Sequence, residues 1–525
     1  MSKNWYNKII IANVTDEDRK FLDAQELLMN IMQDMPDNNP LKNKAYIAGG
    51  AVRDEVMGKV PKDIDVTVEA KEGGIALANY LARSMGLRGP VIFPTYGTAQ
   101  VVLKDIEYKG KQYNVDGIDI EMVATRKERY DDPTSRNPVV EYGTLMEDVE
   151  RRDFTVNSLL KNLTTGEIVD LTGQGLNDIR DGVIRTPLNP DIIFGEDGLR
   201  IMRAVRFAVK YNWTLSQEVI EGIKKNIDQL SNSSMERIRD ELDKIAKVNK
   251  MHIAIPLMDE LGILEKVLPE MSALKGVEQS ADHHSEGDAY VHSLGVIENL
   301  ETYHPDSDIG TVWAAIAHDW GKAHTQSFDE DKIHFYGHED VSAELVEQRL
   351  RELKYPKEVI EKAKFLSTNH MRGHSAHEWG PKAYRKYRED MKKLKQVEDE
   401  MVVDYDHYES ILALLESDQR ASIPADGSVK NTYELIRQNM PEMTKIKVPE
   451  KPILNGYDIM NAFNVKPGPQ IGVIQNMAKE MLLEHPEIII EENEELTKQN
   501  LIEELSKVYQ SELFSRNLSE IKKPQ

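Results

Sequence analysis

The chain of 525 residues contains no cysteine. That absence excludes disulfides, thiolate zinc sites, iron–sulfur clusters and any thiol nucleophile. No apolar run is long enough to span a bilayer, since Ile9-Ile-Ile-Ala12 and Ile488-Ile-Ile490 have only the length of a strand or a helical turn. The opening Met1-Ser-Lys-Asn-Trp5 lacks the apolar stretch of a secretory signal, so a cytoplasmic home and no membrane partner are expected. Positive charge is also short. Lys and Arg number 66 against 90 Asp and Glu, a net charge of −24, which argues against nonspecific binding to phosphate backbones. Internal repeats and low-complexity stretches are missing as well, which excludes solenoid architectures. What remains is a chain with 40% apolar residues, enough for real cores, and a length that suggests about three or four domains.

The first signal that is present is Gly49-Gly50-Ala51-Val52-Arg53-Asp54. The spacing predicts a strand over Ala45–Ala48, a glycine turn, and a helix whose first-turn N–H groups are free to meet phosphate. Lys62-Asp63-Ile64-Asp65-Val66-Thr67-Val68 follows as an alternating run. Read as a strand, it projects Asp63 and Asp65 from one face. Two carboxylates held that close repel unless a divalent ion lies between them, and hard oxygen donors with substrate phosphates suit Mg²⁺. Either motif alone is more often an ordinary turn or a solvated strand face. Their order and spacing, followed by Arg151-Arg152-Asp153-Phe154-Thr155-Val156-Asn157, favour a nucleotide-transfer site.

These residues resemble the class II tRNA nucleotidyltransferases, the CCA-adding enzymes, together with their bacterial poly(A) polymerase relatives. The resemblance runs over roughly residues 44–475 and implies a GGxVRD turn with a DxD metal site and an RRDFTxN stretch. It makes Gly49, Gly50, Arg53, Arg151, Asp153 and Asn157 nucleotide-binding residues, with Asp153 helping to select ribose over deoxyribose. It also implies a neighbouring strand with an inward carboxylate. Ile118-Asp-Ile-Glu-Met-Val-Ala-Thr-Arg126 fits that strand, with Glu121 the better-aligned acid beside the catalytic Asp63 and Asp65.

Glu196-Asp197-Gly-Leu-Arg200-Ile-Met-Arg203-Ala-Val-Arg206-Phe207 reads as one helix and resembles the family's EDxxR motif. A carboxylate only accepts and a guanidinium only donates, so Asp197 and Arg200 together match an exocyclic amine beside an unprotonated ring nitrogen. Cytosine and adenine offer that edge. Guanine and uracil present the reverse pattern and would leave buried groups unpaired, at about 1–3 kcal/mol each. The bland alternative is a set of helical salt bridges. Arg203 and Arg206 fit triphosphate or RNA backbone equally with pairing to nearby acids.

A second constellation comprises His283-His284, Asp288, His292, the apolar run Val312–Ala317 ending in His318-Asp319, then Tyr336-Gly-His338, Asn369-His370 and Asp418. It resembles the HD superfamily of metal-dependent phosphohydrolases. The resemblance makes His292, His318, Asp319 and Asp418 ligands of a transition metal such as Ni, Mn, Co or Fe, with an open position to activate water. His338 and His370 suit either a second metal or the substrate phosphate. His304, His324, His334, His374 and His377 lie outside the pattern and are expected on the surface.

The expected architecture is a multidomain α/β head with a nucleotidyltransferase-type mixed sheet, followed by an all-α neck, an HD body and a tail. Its boundaries are a helical extension over 1–43, with Thr15 as N-cap, a head over 44–190, a neck over 191–280, an HD region over 281–421 and a tail over 422–525. The expected reaction is attack of an RNA 3′-hydroxyl on the α-phosphate of CTP or ATP, adding CCA to the tRNA 3′ end, with pyrophosphate leaving. An A-adding enzyme, a poly(A) polymerase, or an HD phosphohydrolase whose head only recognises RNA are the alternatives. Basic runs beside tyrosines, Lys382–Arg388 and Lys392–Lys395, fit an RNA contact or a solvated helix face. In the tail, Lys466-Pro-Gly-Pro fits a rigid turn into a helix. Oligomeric state is not encoded in any of these motifs.

Overall fold

The computed structural model describes residues 14–509, apart from 94–96, 130–138, 281–283, 285–286, 330–331, 381–382, 385–386, 388–389, 392, 398–399, 405, 423–430, 440–445, 449–451, 486–487 and 490–492. Ile9–Ala12, His283, Ile490 and parts of both basic runs therefore lie outside the described residues. The chain divides into two compact units, Met1–Ser272 with Leu350–Tyr355, and Ala273–Arg349 with Pro356–Gln525.

The first unit opens with helix α1 (Asp16–Asp34), started by a capping box between Thr15 and Asp18. Its apolar face buries Ala24, Leu27, Leu28, Ile31 and Met32. A seven-stranded sheet follows, built from β1 (Ala45–Ala48), β2 (Ile64–Val68), β3 (Val91–Phe93), β4 (Thr98–Val102), β5 (Asp119–Ala124), β6 (Leu160–Asn162) and β7 (Ile168–Val169). Its order is β7-β6-β1-β2-β5-β4-β3. Only β2 and β5 run parallel, so the sheet is mixed. Period-two alternation decides its faces: Ile64, Val66, Ile120 and Met122 are buried, while Asp65, Asp119 and Glu121 point outward. Helices α2 (Gly50–Val56), α3 (Gly73–Ser84) and α4 (Leu145–Glu150) flank the sheet.

Beyond the sheet the chain turns helical, with α5 (Pro190–Glu196), α6 (Leu199–Tyr211), α7 (Gln217–Asn226), α8 (Met235–Ala246) and α9 (Met251–Glu260). The single helix expected over Glu196–Phe207 is broken. Asp197 is extended (φ −147°, ψ 102°) and α6 begins only at Leu199. One cause is visible: the Asp197 carboxylate accepts the Leu199 N–H at 3.0 Å, a competing local bond. Gly198 is itself helical (φ −58°, ψ −23°), and its close packing, with a Cβ 2.2 Å from the Gln229 carbonyl oxygen, restricts that position to glycine.

The second unit is mainly helical. Helices α10 (Ala289–Tyr303), α11 (Ile309–Ala317), α12 (His338–Glu352), α13 (Lys357–Asn369) and α14 (Asp406–Ala421) enclose a core that includes Val296, Leu300, Trp313, Ile316, Leu366 and Leu412. Helices α15 (Gly456–Phe463), α16 (Pro469–Glu484) and α17 (Glu494–Tyr509) share a separate apolar cluster around Leu454, Ile459, Ile474, Leu501 and Leu505. Among the described residues no helix is long and apolar enough to cross a membrane.

Candidate functional site

In the head, acid gathers on one face of the sheet's central strands. Asp65 is the direct register partner of Glu121 across the parallel β2–β5 pair, and Asp63 precedes β2 by one residue on the same side. Asp65 keeps solvent contact, yet its pKa is pushed up to about 6. Partial loss of hydration is the largest cause, then the charges of Asp63 and Glu121, with Arg152 offsetting part. A divalent cation would relieve that excess of negative charge, and an all-oxygen donor set fits Mg²⁺.

Beside these strands, Gly49 sits between β1 and α2 with φ 73°, a conformation that favours glycine. A Cβ there would come within 3.1 Å of the Arg152 guanidinium. No side chain caps α2, which leaves its first-turn N–H groups available. The two sequence motifs meet here. Arg53 is buried, donates from Nη1 to Asn157 Oδ1 at 2.5 Å and from Nε to Asp54 Oδ1 at 2.9 Å, and lies over the rings of Phe207 and Tyr211 at 5.2 and 5.0 Å. Asn157 in turn donates to Asp153 Oδ1 at 3.0 Å. Asp153 also accepts from the Phe154 N–H at 2.8 Å and pairs with Arg203 at 2.6 Å. Burial alone would raise the Asp153 pKa, but Arg203, Asn157 and the Phe154 amide overcome it and hold the carboxyl below its ordinary value.

Asp148 on α4, absent from the sequence reading, is fully buried and grips both adjacent arginines, Arg151 at 2.7 Å and Arg152 at 3.0 Å. Its position three and four residues before them on one helical turn was the available signal. The EDxxR residues are placed separately. Asp197 pairs with Arg237 of α8 at 2.7 Å. Arg200 is buried, donating to the Ile193 carbonyl at 3.0 Å, Glu196 at 2.9 Å and the Arg151 carbonyl at 2.8 Å. Arg206 is buried against Glu241, which also holds Lys244 at 2.9 Å. Sequence reasoning did not single out Arg237, whose partner is 40 residues distant.

In the second unit, the histidines converge on Asp319. His318 caps the C-terminus of α11 and places Nε2 3.3 Å from Asp319 Oδ2. His292 of α10 lies 3.7 Å from Asp319 and 3.1 Å from Asp418 of α14. His338 and His370 reach the other Asp319 oxygen at 3.3 and 3.8 Å. Two potential ligand groups result, His292–His318–Asp319 and Asp319–His338–His370, sharing one carboxylate. The Nδ1 atoms of His318, His338 and His370 lie 3.0, 2.8 and 2.6 Å from the carbonyl oxygens of Ala315, Phe335 and Ser367. Those carbonyls only accept, so Nδ1 of each ring carries a proton and Nε2 is the nitrogen that faces Asp319. His318 Nε2 is buried without a hydrogen-bond partner, whereas Asp319 Oδ2 is paired with the Lys322 ammonium at 2.7 Å. A transition metal would satisfy the imidazole, and the mixed nitrogen and oxygen donors around it suit one. Burial and the neighbouring His318 push His370 down to about 3.

Three histidines expected on the surface are engaged instead. His374 bonds Asp418 at 2.9 Å and His304 bonds Glu416 at 3.1 Å, while His334 lines the cavity beside the cluster. His324 and His377 are exposed as expected.

Residues 45–185 match the family described as Poly A polymerase head domain, 212–275 match a probable RNA and SrmB-binding site of polymerase A, and 289–407 match the HD domain. A multifunctional CCA protein of Pasteurella multocida is 31% identical over 345 residues, 64% of this chain and 76% of its own length. A tRNA nucleotidyltransferase, cca1, of Schizosaccharomyces pombe is 32% identical, over 49% of this chain and only 51% of its own length. A CC-adding tRNA nucleotidyltransferase of Thermus thermophilus is 26% identical over 82% of this chain and 87% of its own. Among solved structures, the Bacillus stearothermophilus CCA-adding enzyme in complex with CTP has the same fold, with a TM-score of 0.55 at 21% identity, over 93% of this chain and 98% of that one.

Proposed function

This chain belongs to the tRNA nucleotidyltransferase family, and on that premise we propose that it adds CCA to the 3′ end of tRNA from CTP and ATP in the cytoplasm. The observation that carries the reading is the register pairing of Asp65 with Glu121 beside the Gly49–Gly50 turn. The family is metal-dependent. Mg²⁺ held by Asp63, Asp65 and Glu121 would supply charge stabilisation to the attacking and departing oxygens.

The protein's own groups do the rest. The open first turn of α2 receives the triphosphate. Arg53 and Asn157 tie that turn to the Arg151–Asn157 segment, so both motifs respond to the same nucleotide. Asp153, held by Arg203 and Asn157, is the group assigned here to ribose recognition. Asp197, held by Arg237, reads the base edge together with Arg200 once Arg200 exchanges its contacts with Ile193, Glu196 and the Arg151 carbonyl for the base. Arg203 and Arg206 act through Asp153 and Glu241.

The test offers purified protein, Mg²⁺ and tRNA transcripts ending at the discriminator base, at C or at CC, with each nucleotide supplied singly and CTP with ATP together. Growth by three nucleotides that then stops is expected, with UTP and GTP refused. Addition of a single A only to the CC-ended transcript, or an open ladder of A, reassigns the product to an A-adding enzyme or a poly(A) polymerase.

The unpartnered His318 Nε2 within the His292–His318–Asp319 group favours a second activity, a metal-dependent phosphohydrolase in the HD region, with Ni, Mn, Co or Fe as the candidate metals.

A further inference from the structure

In the first unit, one aromatic side chain collects positive charge that the residues named so far do not account for. Tyr211 ends α6. Its ring stacks with Phe207, centroids 6.0 Å apart and planes 8° from parallel, and with Trp213 at 4.8 Å and 30°. Three cations approach this one ring. The Arg53 guanidinium lies 5.0 Å from its centroid, and the Lys59 and Lys210 ammoniums lie 5.1 Å from it. Arg53 comes from α2, Lys59 from the turn after α2, and Lys210 from α6 itself. The cluster adjoins the glycine turn, since a Cβ on Gly50 would stand 3.5 Å from Arg53 Nη2.

Like charges gathered this closely repel, so something must hold them. The usual partner is a carboxylate, and Asp54 serves for one of the three: it pairs with Arg53 at 2.8 Å and accepts from the Tyr211 hydroxyl at 3.4 Å. Among the described residues, neither Lys59 nor Lys210 pairs with a carboxylate. The Lys210 pKa is lowered, by loss of hydration first and then by the charge of Arg53, with Arg206 and Lys59 adding to the effect and Asp54 opposing it. The local field is therefore positive in a chain whose net charge is −24. A ring differs from a carboxylate in the respect that matters here. Its π system attracts a cation through a quadrupole and carries no net charge, so it holds the cation without cancelling it. Both lysines are exposed, which leaves that charge open to an anion from solvent.

We propose that Lys59 and Lys210, gathered on the Tyr211 ring beside Arg53, form a phosphate-binding corner next to the glycine turn. The phosphate belongs either to the triphosphate of the incoming nucleotide or to the backbone of the RNA strand. The inference rests on reading the head as the transferase site. Lys59 and Lys210 touch the phosphate, and Tyr211 is a positioning residue that acts through them.

The experiment uses the full chain carrying Lys59→Gln with Lys210→Gln, Tyr211→Leu, or Tyr211→Phe. Lys109→Gln, which removes a surface lysine already paired with Asp34, is the control for the mere loss of a charge. KM for ATP is measured on a CC-ended tRNA, and the Kd of that tRNA is measured from low to physiological salt. The double lysine variant is expected to raise at least one of these constants about tenfold, with kcat unchanged. A raised KM for ATP at unchanged tRNA Kd assigns the corner to the triphosphate. A raised tRNA Kd, with the slope of log Kd against log salt flattened by about two, assigns it to the RNA backbone. Tyr211→Leu should reproduce the change although it removes no charge, and Tyr211→Phe, which keeps the ring, should retain the wild-type value. Both constants unchanged in the double variant, or an equal loss in Lys109→Gln, overturn the corner. A loss that Tyr211→Leu does not share overturns the role of the ring, and the exposed lysine variants still decide the corner if Tyr211→Leu does not fold. In parallel, equilibrium binding of inorganic pyrophosphate and of tRNA is compared between wild type and the double variant. If the wild type adds no nucleotide yet either ligand binds the double variant more weakly, the transferase reading fails and the corner stands. Binding indifferent to both lysines removes the corner.

Discussion

Asp65 and Glu121 occupy paired positions on two parallel strands, so two carboxylates stand side by side on one face of the sheet, with Asp63 two residues before Asp65. Such crowding works against the metal-free fold. The folded chain holds the Asp65 proton up to about pH 6, whereas the ordinary value is 3.8. A raised carboxylate pKa makes the ionised form the destabilising one, so metal-free stability falls as pH rises through that window, and the full penalty is present above it.

Asp65→Asn should therefore raise the melting temperature of chelator-treated protein at pH 8 and change it little at pH 4. It should also lower nucleotide addition by about a thousandfold or more while tRNA binding persists, as expected for loss of a group that holds transition-state charge. Melting curves at both pH values and a primer-extension assay check the pair of outcomes. A variant that retained addition would remove Asp65 from the catalytic centre.

Asp148 has no solvent exposure and two arginine partners. Removing one member of a buried ionic group leaves uncompensated charge, at a cost of about 3–5 kcal/mol. Asp148→Ala should lose that much in urea unfolding of the first unit. The acid dependence has a definite sign. Burial works to raise the Asp148 pKa, Arg152 and Arg151 work to lower it, and the net direction is down from 3.8. Its contribution is therefore intact above about pH 4 and fades as pH falls through the lower folded-state value. Wild-type stability should drop more steeply than that of Asp148→Ala below pH 4, and parallel acid curves would count against the role.

Much of this was legible in the chain. The strand at Ala45–Ala48, the alternation around Asp63 and Asp65, and the N-cap at Thr15 are local patterns, and the structure contains all three. The family resemblance and the mixed-sheet head with a helical remainder are borne out by the matched families and the solved fold. Long-range pairing was not legible. Asp197 to Arg237 spans 40 residues, and Arg53 to Asn157 spans 104. The break at Asp197 was hidden because a helix-period pattern continues across it, and the capping bond from the Leu199 N–H to the Asp197 carboxylate is visible only in the fold. His374 escaped notice for the same reason, since its partner Asp418 lies on another helix.

The Asp197–Arg237 pair bears on nucleotide choice. Arg237 is half exposed, so its loss should cost little stability. If it orients Asp197 toward the base edge, Arg237→Ala should narrow the preference for CTP and ATP over UTP and GTP by about tenfold, one misplaced hydrogen bond. Arg237→Lys, which keeps the charge but loses the two-pronged geometry, should fall between. Competition assays with all four nucleotides on a CC-ended tRNA give the ratios directly. Unchanged ratios with a slower rate would mean that Arg237 only braces α8.

The histidine cluster makes a prediction that does not depend on any substrate. His318 Nε2 is buried and unsatisfied beside Asp319 and His292, so a cation that meets this group should bind the folded chain in preference to the unfolded one. Ligand linkage then stabilises the second unit by about 2.7 kcal/mol at a hundredfold excess over Kd. Chelator-stripped protein should show a rise in melting temperature on adding Mn²⁺, Co²⁺ or Ni²⁺, in a transition distinct from that of the head. His318→Ala should abolish the rise, while Asp63→Asn should keep it. Because metal and protons compete for the ligating imidazoles, the rise should shrink as the pH is lowered. Nucleotide addition in Mg²⁺ should be the same for His318→Ala as for wild type, which separates the two chemistries within one chain. An equal shift in wild type and His318→Ala would place the metal elsewhere and leave the cluster as a buried hydrogen-bond network.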